Sequence, residues 1–459
     1  MPTECKPFAH AFQGFGGRRV RAAFDGGRIT SNAGALLLRA IDRFVGLTER
    51  VAACFTDHRD GRLTEHSIQT LVRQRIVGLA LGYEDLNDHD ELRHDPVLAL
   101  LADKLAGRRK DCAPLAGKST LNRLEHAPPK GCPGRYHRIE HDPEALQDLL
   151  LELFIESWGD GRPPELVLDI DSTDDEVHGR QEGRFFHGYY GHYCFLPLYV
   201  TCGGQPLLAR LKPGNADPAG GAREELARIV ERLRLRWPGL RIILRGDSAY
   251  AREELLAWCE SNGVEYVIGL AKNARLVKRI DLELDDAAAA AERRGRPVRS
   301  YKEFSYATRE SWSRERRVIA KAEHLPGKSN PRFVVTSLDA IFSPRVVYER
   351  LYCARGRMEN VIKEQQLDLF SDRTSAAPFA SNQFRLLLSA FASIFFAWLR
   401  RTLRGTPLAR ATAGTLRQKL LKIGARVTVS VRRIKIAMDS AHPAAAAFER
   451  VCARLPSPG

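Results

Sequence analysis

From Leu166 to Ala271 the chain sets a run of consecutive strands ahead of alternating helices and strands, an order that few architectures accommodate. LVLDID (166–171), HYCFLPLYVTC (192–202) and QPLLARLKPG (205–214) read as three strands with no helix between them. An amphipathic helix, AREELARIVERLRLRW, follows, then the apolar strand RIILRGDS, the helix YAREELLAWCESNG and the strand VEYVIGLA. Three early strands followed by alternating elements indicate an α/β fold built on a sheet of mixed order.

Around this segment the character changes several times. A Pro/Gly-rich break, WGDGRPPE (158–165), separates it from residues 1–160, which read as a mostly helical N-terminal DNA-binding region. There Thr64 is placed to cap a helix in which Ile68, Leu71, Val72, Arg75, Ile76 and Leu79 follow helical spacing, and Gly82 ends it. PLAGKSTLNRLEH contains GKST, but a phosphate-binding loop needs glycine where Cys112 stands, so a nucleotide cofactor is excluded. A short helix from Ser119, exposing Lys118, Asn122 and Arg123 towards DNA, is expected instead. Residues 161–271 form the first part of the expected core and 272–340 a charged, β-rich insertion. Residues 341–400 return to the core through a long helix from about Arg345 to Leu369 and an apolar helix at 380–400. In the basic region 401–459, RVTVSVRRIKI alternates apolar and basic residues, and its register slips at Arg432–Arg433 as a β-bulge would make it.

Composition narrows the function. The 459 residues are 44% hydrophobic, enough for two or three folded domains. The net charge is +15, and residues 400–459 carry thirteen Lys or Arg against two acids, which suggests a polyanionic partner such as nucleic acid. Nine cysteines without a CxxC pair indicate neither a zinc ribbon nor a disulfide framework, and fit a reducing cytosol. The start lacks a signal-peptide apolar region, and the longest apolar run, Leu386 to Leu399, suits a buried helix better than a membrane span. A soluble cytoplasmic, nucleoid-associated protein is expected.

The acids carry the chemistry. LVLDIDSTDDEVHG holds Asp169, Asp171, Asp174, Asp175 and Glu176 within eight positions. Asp247 follows RIILRG at a strand's carboxyl end, where α/β sheets place their ligands. In YCARGRMENVIKEQQ, residues Tyr352, Arg355, Glu359, Lys363 and Gln366 share one helical stripe. Breaking or exchanging a phosphodiester calls for an activated nucleophile and charge relief at the leaving oxygen, which two divalent ions held by hard oxygen ligands supply. Asp171, Asp247 and Glu359 have the form of such a cage. The plainer readings are a helix cap for Asp247 and an Asp–Arg pair for Asp171. Of Asp169 and Asp171 only one is expected to face the site, leaving Asp169 to the other face or to a buried pair. Asp174, Asp175 and Glu176 are expected in a solvated turn. His178, His187 and His192 lack a zinc context, GYYGHY reads as an aromatic hairpin, and Trp312 reads as buried or interfacial.

These residues resemble the DDE transposases of bacterial insertion sequences, and more narrowly the thirteen-eighty insertion-sequence family. The matching segments are TSNAGALLLRAID, LAGKSTLNRLEH, LVLDIDSTDDEVHG, FFHGYYGHYCFLPLYV, LRGDSAY and YCARGRMENVIKE, spanning most of the chain from about residue 30 to residue 400. The resemblance implies a ribonuclease-H-like catalytic core and a β-rich insertion before the Glu-bearing helix. Asp171, Asp247 and Glu359 would be the catalytic acids holding two Mg²⁺ ions, with Mn²⁺ a substitute, and Tyr352, Arg355 and Lys363 would steady DNA phosphates. Relatives place a lysine where this chain has Gln366, and Lys363 is taken to replace it. Such an enzyme binds the terminal inverted repeats of its element, cuts there, and joins the freed 3′-hydroxyl to target DNA, usually as a homodimer in a synaptic complex. A metal-dependent nuclease of the same core, or a DNA-binding derivative without catalysis, are the rival readings.

Overall fold

The computed structural model describes residues 9–132 and 138–455. Along the chain its principal strands begin with β1 (His10–Phe15), β2 (Arg18–Ala22) and β3 (Arg28–Thr30). Next come β4 (Glu165–Ser172), β5 (Leu198–Cys202), β6 (Gln205–Arg210), β7 (Arg241–Gly246) and β8 (Glu265–Leu270). The last are β9 (Val298–Tyr306), β10 (Arg316–Leu325), β11 (Arg332–Thr336), β12 (Ala425–Val429) and β13 (Ile434–Met438). The chain divides into two compact units: Met1–Asp142 with Asp368–Phe370 and Phe391–Gly459, and Pro143–Leu367 with Ser371–Ala390.

The second unit is mixed α/β around one nine-stranded sheet in the order β6-β5-β4-β7-β8-β11-β10-β9, with Lys328–Ser329 pairing β10 at its margin. β4, β5 and β6, joined without helices, pair antiparallel. β7 and β8, reached through the helices Ala222–Arg236 and Glu253–Ser261, run parallel to β4 and to each other, as crossover connections require. Alternation along β4 sends Leu166, Leu168 and Ile170 into one apolar cluster, with Leu226, Ile229 and Leu233 of the first crossover helix and Leu255 and Leu256 of the second. Val267, Ile319, Val334, Val347 and Tyr348 form a smaller cluster.

Two segments join this unit in ways the sequence did not suggest. The helix Pro143–Glu156, ahead of the Pro/Gly break, contributes Leu151 and Phe154 to the sheet's core, and its Gln147 donates to the carbonyl of Ala209 on β6 at 2.6 Å. Residues 272–340 begin with two helices, Ala274–Lys278 and Asp281–Arg294, before β9, β10 and β11 extend the main sheet. Trp312 is buried there against Tyr306 and beneath Arg316.

In the first unit, the helix Ile68–Ala80 is capped by Ser67, which accepts from Thr70 N; Thr64 instead bonds the carbonyl of Asp60. The helix at GKST runs Lys118–Glu125. The N-terminal portion holds helices as expected, but also the separate hairpin β1–β2 and the edge strand β3, which pairs with β12. β12 and β13 are separate strands, and the slip at Arg432–Arg433 is the turn between them rather than a bulge: Ser430 N donates to the carbonyl of Arg433, and Ser430 Oγ accepts from Arg433 N. The helix Phe379–Thr402 is long and apolar enough to cross a membrane, yet 78% of its apolar window is buried inside the protein.

Candidate active site

The site is built on the polar face of β4 and β7. The last paired residues of the two strands are Asp169 and Arg245. Two residues further along the chain from each stand Asp171, still on β4, and Asp247, just past the end of β7, beyond the last rung of the parallel ladder. Residues two apart on a strand share a face. Asp169 and Asp171 therefore lie on the same side, opposite Leu168 and Ile170, and the expectation that they face apart is corrected. Asp169 is in a buried pair all the same: Arg245 grips it through two bonds of 2.7 Å. The third reach of that guanidinium, Nη1 to the carbonyl of Leu351 at 2.8 Å, ties the strands to the helical segment that follows.

That segment, expected as one long helix, is a series of different pitches. Val346–Tyr352 is π-helical, Cys353–Arg355 is 3₁₀, Gly356–Lys363 is α-helical and Glu364–Asp368 is π-helical again. Met358 fixes the α-helical piece to the sheet, where Thr201 Oγ1 of β5 donates to its sulfur at 3.0 Å. Tyr352 approaches β8 where Gly269 leaves room: a Cβ there would stand 2.6 Å from Tyr352 Oη and 3.0 Å from Ser248 N.

Arg355 is the centre of the arrangement. Its Nη1 donates to Asp171 Oδ2 at 2.7 Å and its Nη2 to Glu359 Oε1 at 3.4 Å, so one cation links two of the three acids. Asp171 and Arg355 are mostly buried, whereas 57% of the Glu359 side chain is exposed. Asp247 caps the short turn Ser248–Tyr250, Oδ1 accepting from Ala249 N at 2.9 Å. The plainer readings of both aspartates are thus realised alongside their convergence. Asp171 also accepts from Ser172 N, and the Ser172 hydroxyl meets Tyr250 Oη at 2.9 Å. Burial pushes the Asp171 carboxyl up to about 6, and the Asp247 charge adds to this against the pull of Arg355. Four carboxylates, Asp169, Asp171, Asp247 and Glu359, thus stand near three guanidiniums, Arg245, Arg355 and Arg357, and Arg245 is committed to Asp169. The face is short of positive charge.

Whether these residues suit a divalent ion turns on the donor set. Asp171 and Asp247 offer hard carboxylate oxygens, with Arg355 shared between Asp171 and Glu359, and magnesium keeps several waters, needing only one or two protein carboxylates. That pair fits. Glu359 does not close a cage with them: among the described residues no cluster of three His, Cys, Asp or Glu side chains has metal-binding geometry, because Arg355 stands between Asp171 and Glu359.

The remaining candidates separate. Lys363 is exposed, with no ion pair among the described residues, whereas Gln366 turns inward, donating to the carbonyl of Asp174 at 3.0 Å and to Asp175 Oδ1 at 2.9 Å. The expected solvated turn is only partly that. Asp175 is 1% exposed and burial pushes its carboxyl up to about 8, while Asp174 pairs with His192 at 2.8 Å; of the three, only Glu176 is exposed, with His178 3.8 Å away.

A family model described as Transposase DDE domain group 1 matches residues 12–458. The chain belongs to the DDE transposases. No curated protein matches this transposase. Among solved structures it is similar to the piggyBac transposase in a cryo-EM synaptic complex with hairpin DNA, at 12% identity and a TM-score of 0.36, covering 84% of this chain and 85% of that one. A residue of this transposase that the acidic pattern does not point to is Arg245, which pairs with Asp169 and holds the carbonyl of Leu351; its signal in the sequence is an arginine following the apolar run IIL in RIILRG.

Proposed function

We propose that this DDE transposase serves a bacterial insertion sequence of the thirteen-eighty type, with a ribonuclease-H-like core formed by β6-β5-β4-β7-β8. The observation that carries this reading is the meeting of Asp171 and Asp247 at the ends of adjacent parallel strands, with Arg355 and Glu359 laid against them from a late helical segment. Asp171 and Asp247 would hold a first Mg²⁺ ion, and Glu359, once parted from Arg355, would help to hold a second. When bound, such ions supply an activated nucleophile and relieve charge on the leaving oxygen. The chain's own residues position the DNA. Arg355, freed from its two acids, and the exposed Lys363 meet phosphates, as guanidinium and ammonium groups do. Tyr352 is held beside them. The substrates are the terminal inverted repeats of the element and a target duplex, and two copies of the chain bring the two ends together.

The test is a strand-transfer assay with pre-cleaved element ends, a target plasmid and Mg²⁺. Joined products are expected. Cutting without joining under all conditions would reduce the protein to a nuclease, and activity surviving in Asp247→Ala would refute the site.

A further inference from the structure

The hairpin β1–β2 packs into neither sheet of its own unit. It is a separate two-stranded sheet in which every residue is exposed. Its turn is Gly16–Gly17, with φ of +55° and +76°, the left-handed pair that a two-residue hairpin turn requires. Such a ribbon is marginal in water by itself, yet this one exposes Phe12 at 61% and Phe15 at 84%. The pairing assigns its faces. Phe12 opposes Val20 and Phe15 opposes Arg18 on one side, whereas Arg21 opposes Ala11 on the other, with Arg19 two residues away.

Charge decides what the ribbon meets. From His10 to Thr30 the chain carries Arg18, Arg19, Arg21 and Arg28 against the single acid Asp25, and none of the four arginines pairs with a described carboxylate. The ribbon is followed by β3 in a three-stranded sheet of order β13-β12-β3, where β12 and β13 present Arg426 and Lys435 to solvent. A second copy of so basic a chain would set arginine against arginine. We propose that β1–β2 is an arm that grips duplex DNA, its Arg19 and Arg21 face turned to the phosphates. A two-stranded ribbon is of a size to enter the major groove, and its guanidiniums release counterions as they neutralise the backbone. The proposal takes DNA as the partner from the function proposed above, but it does not depend on the acids.

The experiment is fluorescence anisotropy with the full chain in EDTA, so that binding is read without catalysis. The probes are an element-end duplex, a scrambled duplex and the matching single strand. Arg19→Ala/Arg21→Ala is expected to bind both duplexes roughly tenfold more weakly and to lower the slope of log affinity against log salt by about 2. Arg19→Lys/Arg21→Lys should keep the wild-type slope, and circular dichroism should show all variants folded. Equal slopes for wild type and the alanine variant would overturn the arm, as would a loss confined to the single strand, or a changed oligomeric state with unchanged DNA affinity. Wild type failing to bind any duplex would instead bring down the function proposed above.

Discussion

Asp169 and Asp171 stand on one face of one strand, and each meets an arginine, but the two pairs differ in what they leave over. Arg245 spends both its forward nitrogens on Asp169 in a dry environment and its remaining reach on a backbone carbonyl. Arg355 divides itself between Asp171 and the exposed Glu359, with the Asp247 charge close by. The first pair is saturated and holds elements together. The second is shared among more acids than it can neutralise, which is the condition for exchanging a guanidinium for another cation. Position along the strand separates them: Asp169 lies within the parallel ladder and Asp171 beyond its last rung.

Substitutions that remove one member of each pair should separate the two roles. Asp171→Asn should reduce Mg²⁺-dependent cleavage of element ends by about three orders of magnitude, the scale of several kcal/mol of lost charge stabilisation, while thermal melting stays close to wild type. A cleavage rate within tenfold of wild type would remove Asp171 from the site. Asp169→Asn should do the reverse in kind, costing about 3–5 kcal/mol of stability because Arg245 is left buried without its partner. Denaturant titration reads this, and Asp169→Leu combined with Arg245→Met should recover much of it. If Asp169→Asn melts like wild type, the saturated pair is not structural. Gly269→Ala drives a methyl group towards the Tyr352 hydroxyl and the Ser248 backbone, for an expected cost of about 1–3 kcal/mol. Its signature would be weakened DNA cleavage out of proportion to the loss of stability.

The smallest effect concerns Asp175, a third carboxylate closed off from solvent. An acid held protonated by burial takes up a proton on folding, so its contribution to stability falls as pH rises from the ordinary carboxylate range, about 4, towards about 8. Asp175→Asn should remove that slope, raising the melting temperature by a few degrees at pH 8 and by less at pH 5. A constant difference across the range would show that Asp175 does not titrate there.

Much of this arrangement was legible beforehand. The strands around LVLDID and RIILRG announce themselves by apolar runs, and Asp247 by its place after one of them. Gln366 was misplaced because the stripe assumed a constant α-helical pitch, and the π-helical turn after Lys363 rotates it inward. The burial of Asp175 is not legible locally, since its hydrogen-bond partner Gln366 lies almost two hundred residues along the chain. Thr64 lies too early to cap this helix, and Ser67, directly before Ile68, holds the cap position. The hairpin left a usable signal in GFGGRRV, paired glycines between strand-like flanks, but an arginine-rich segment with no apolar period was absorbed into a region read as helical.

The changing pitch of the Glu359 segment has a consequence for insertions and deletions. A π-helical turn holds one residue more than an α-helical one, and each α-helical residue advances the chain by about 100° around the axis. Removing a single codon between Glu364 and Asp368 would therefore let the wide turn tighten to α-helical pitch, with Glu359 and the residues before it left facing as they do. The same deletion made within Gly356–Lys363, which has no residue to spare, would instead turn the residues after it by about 100° and carry Gln366 off Asp175.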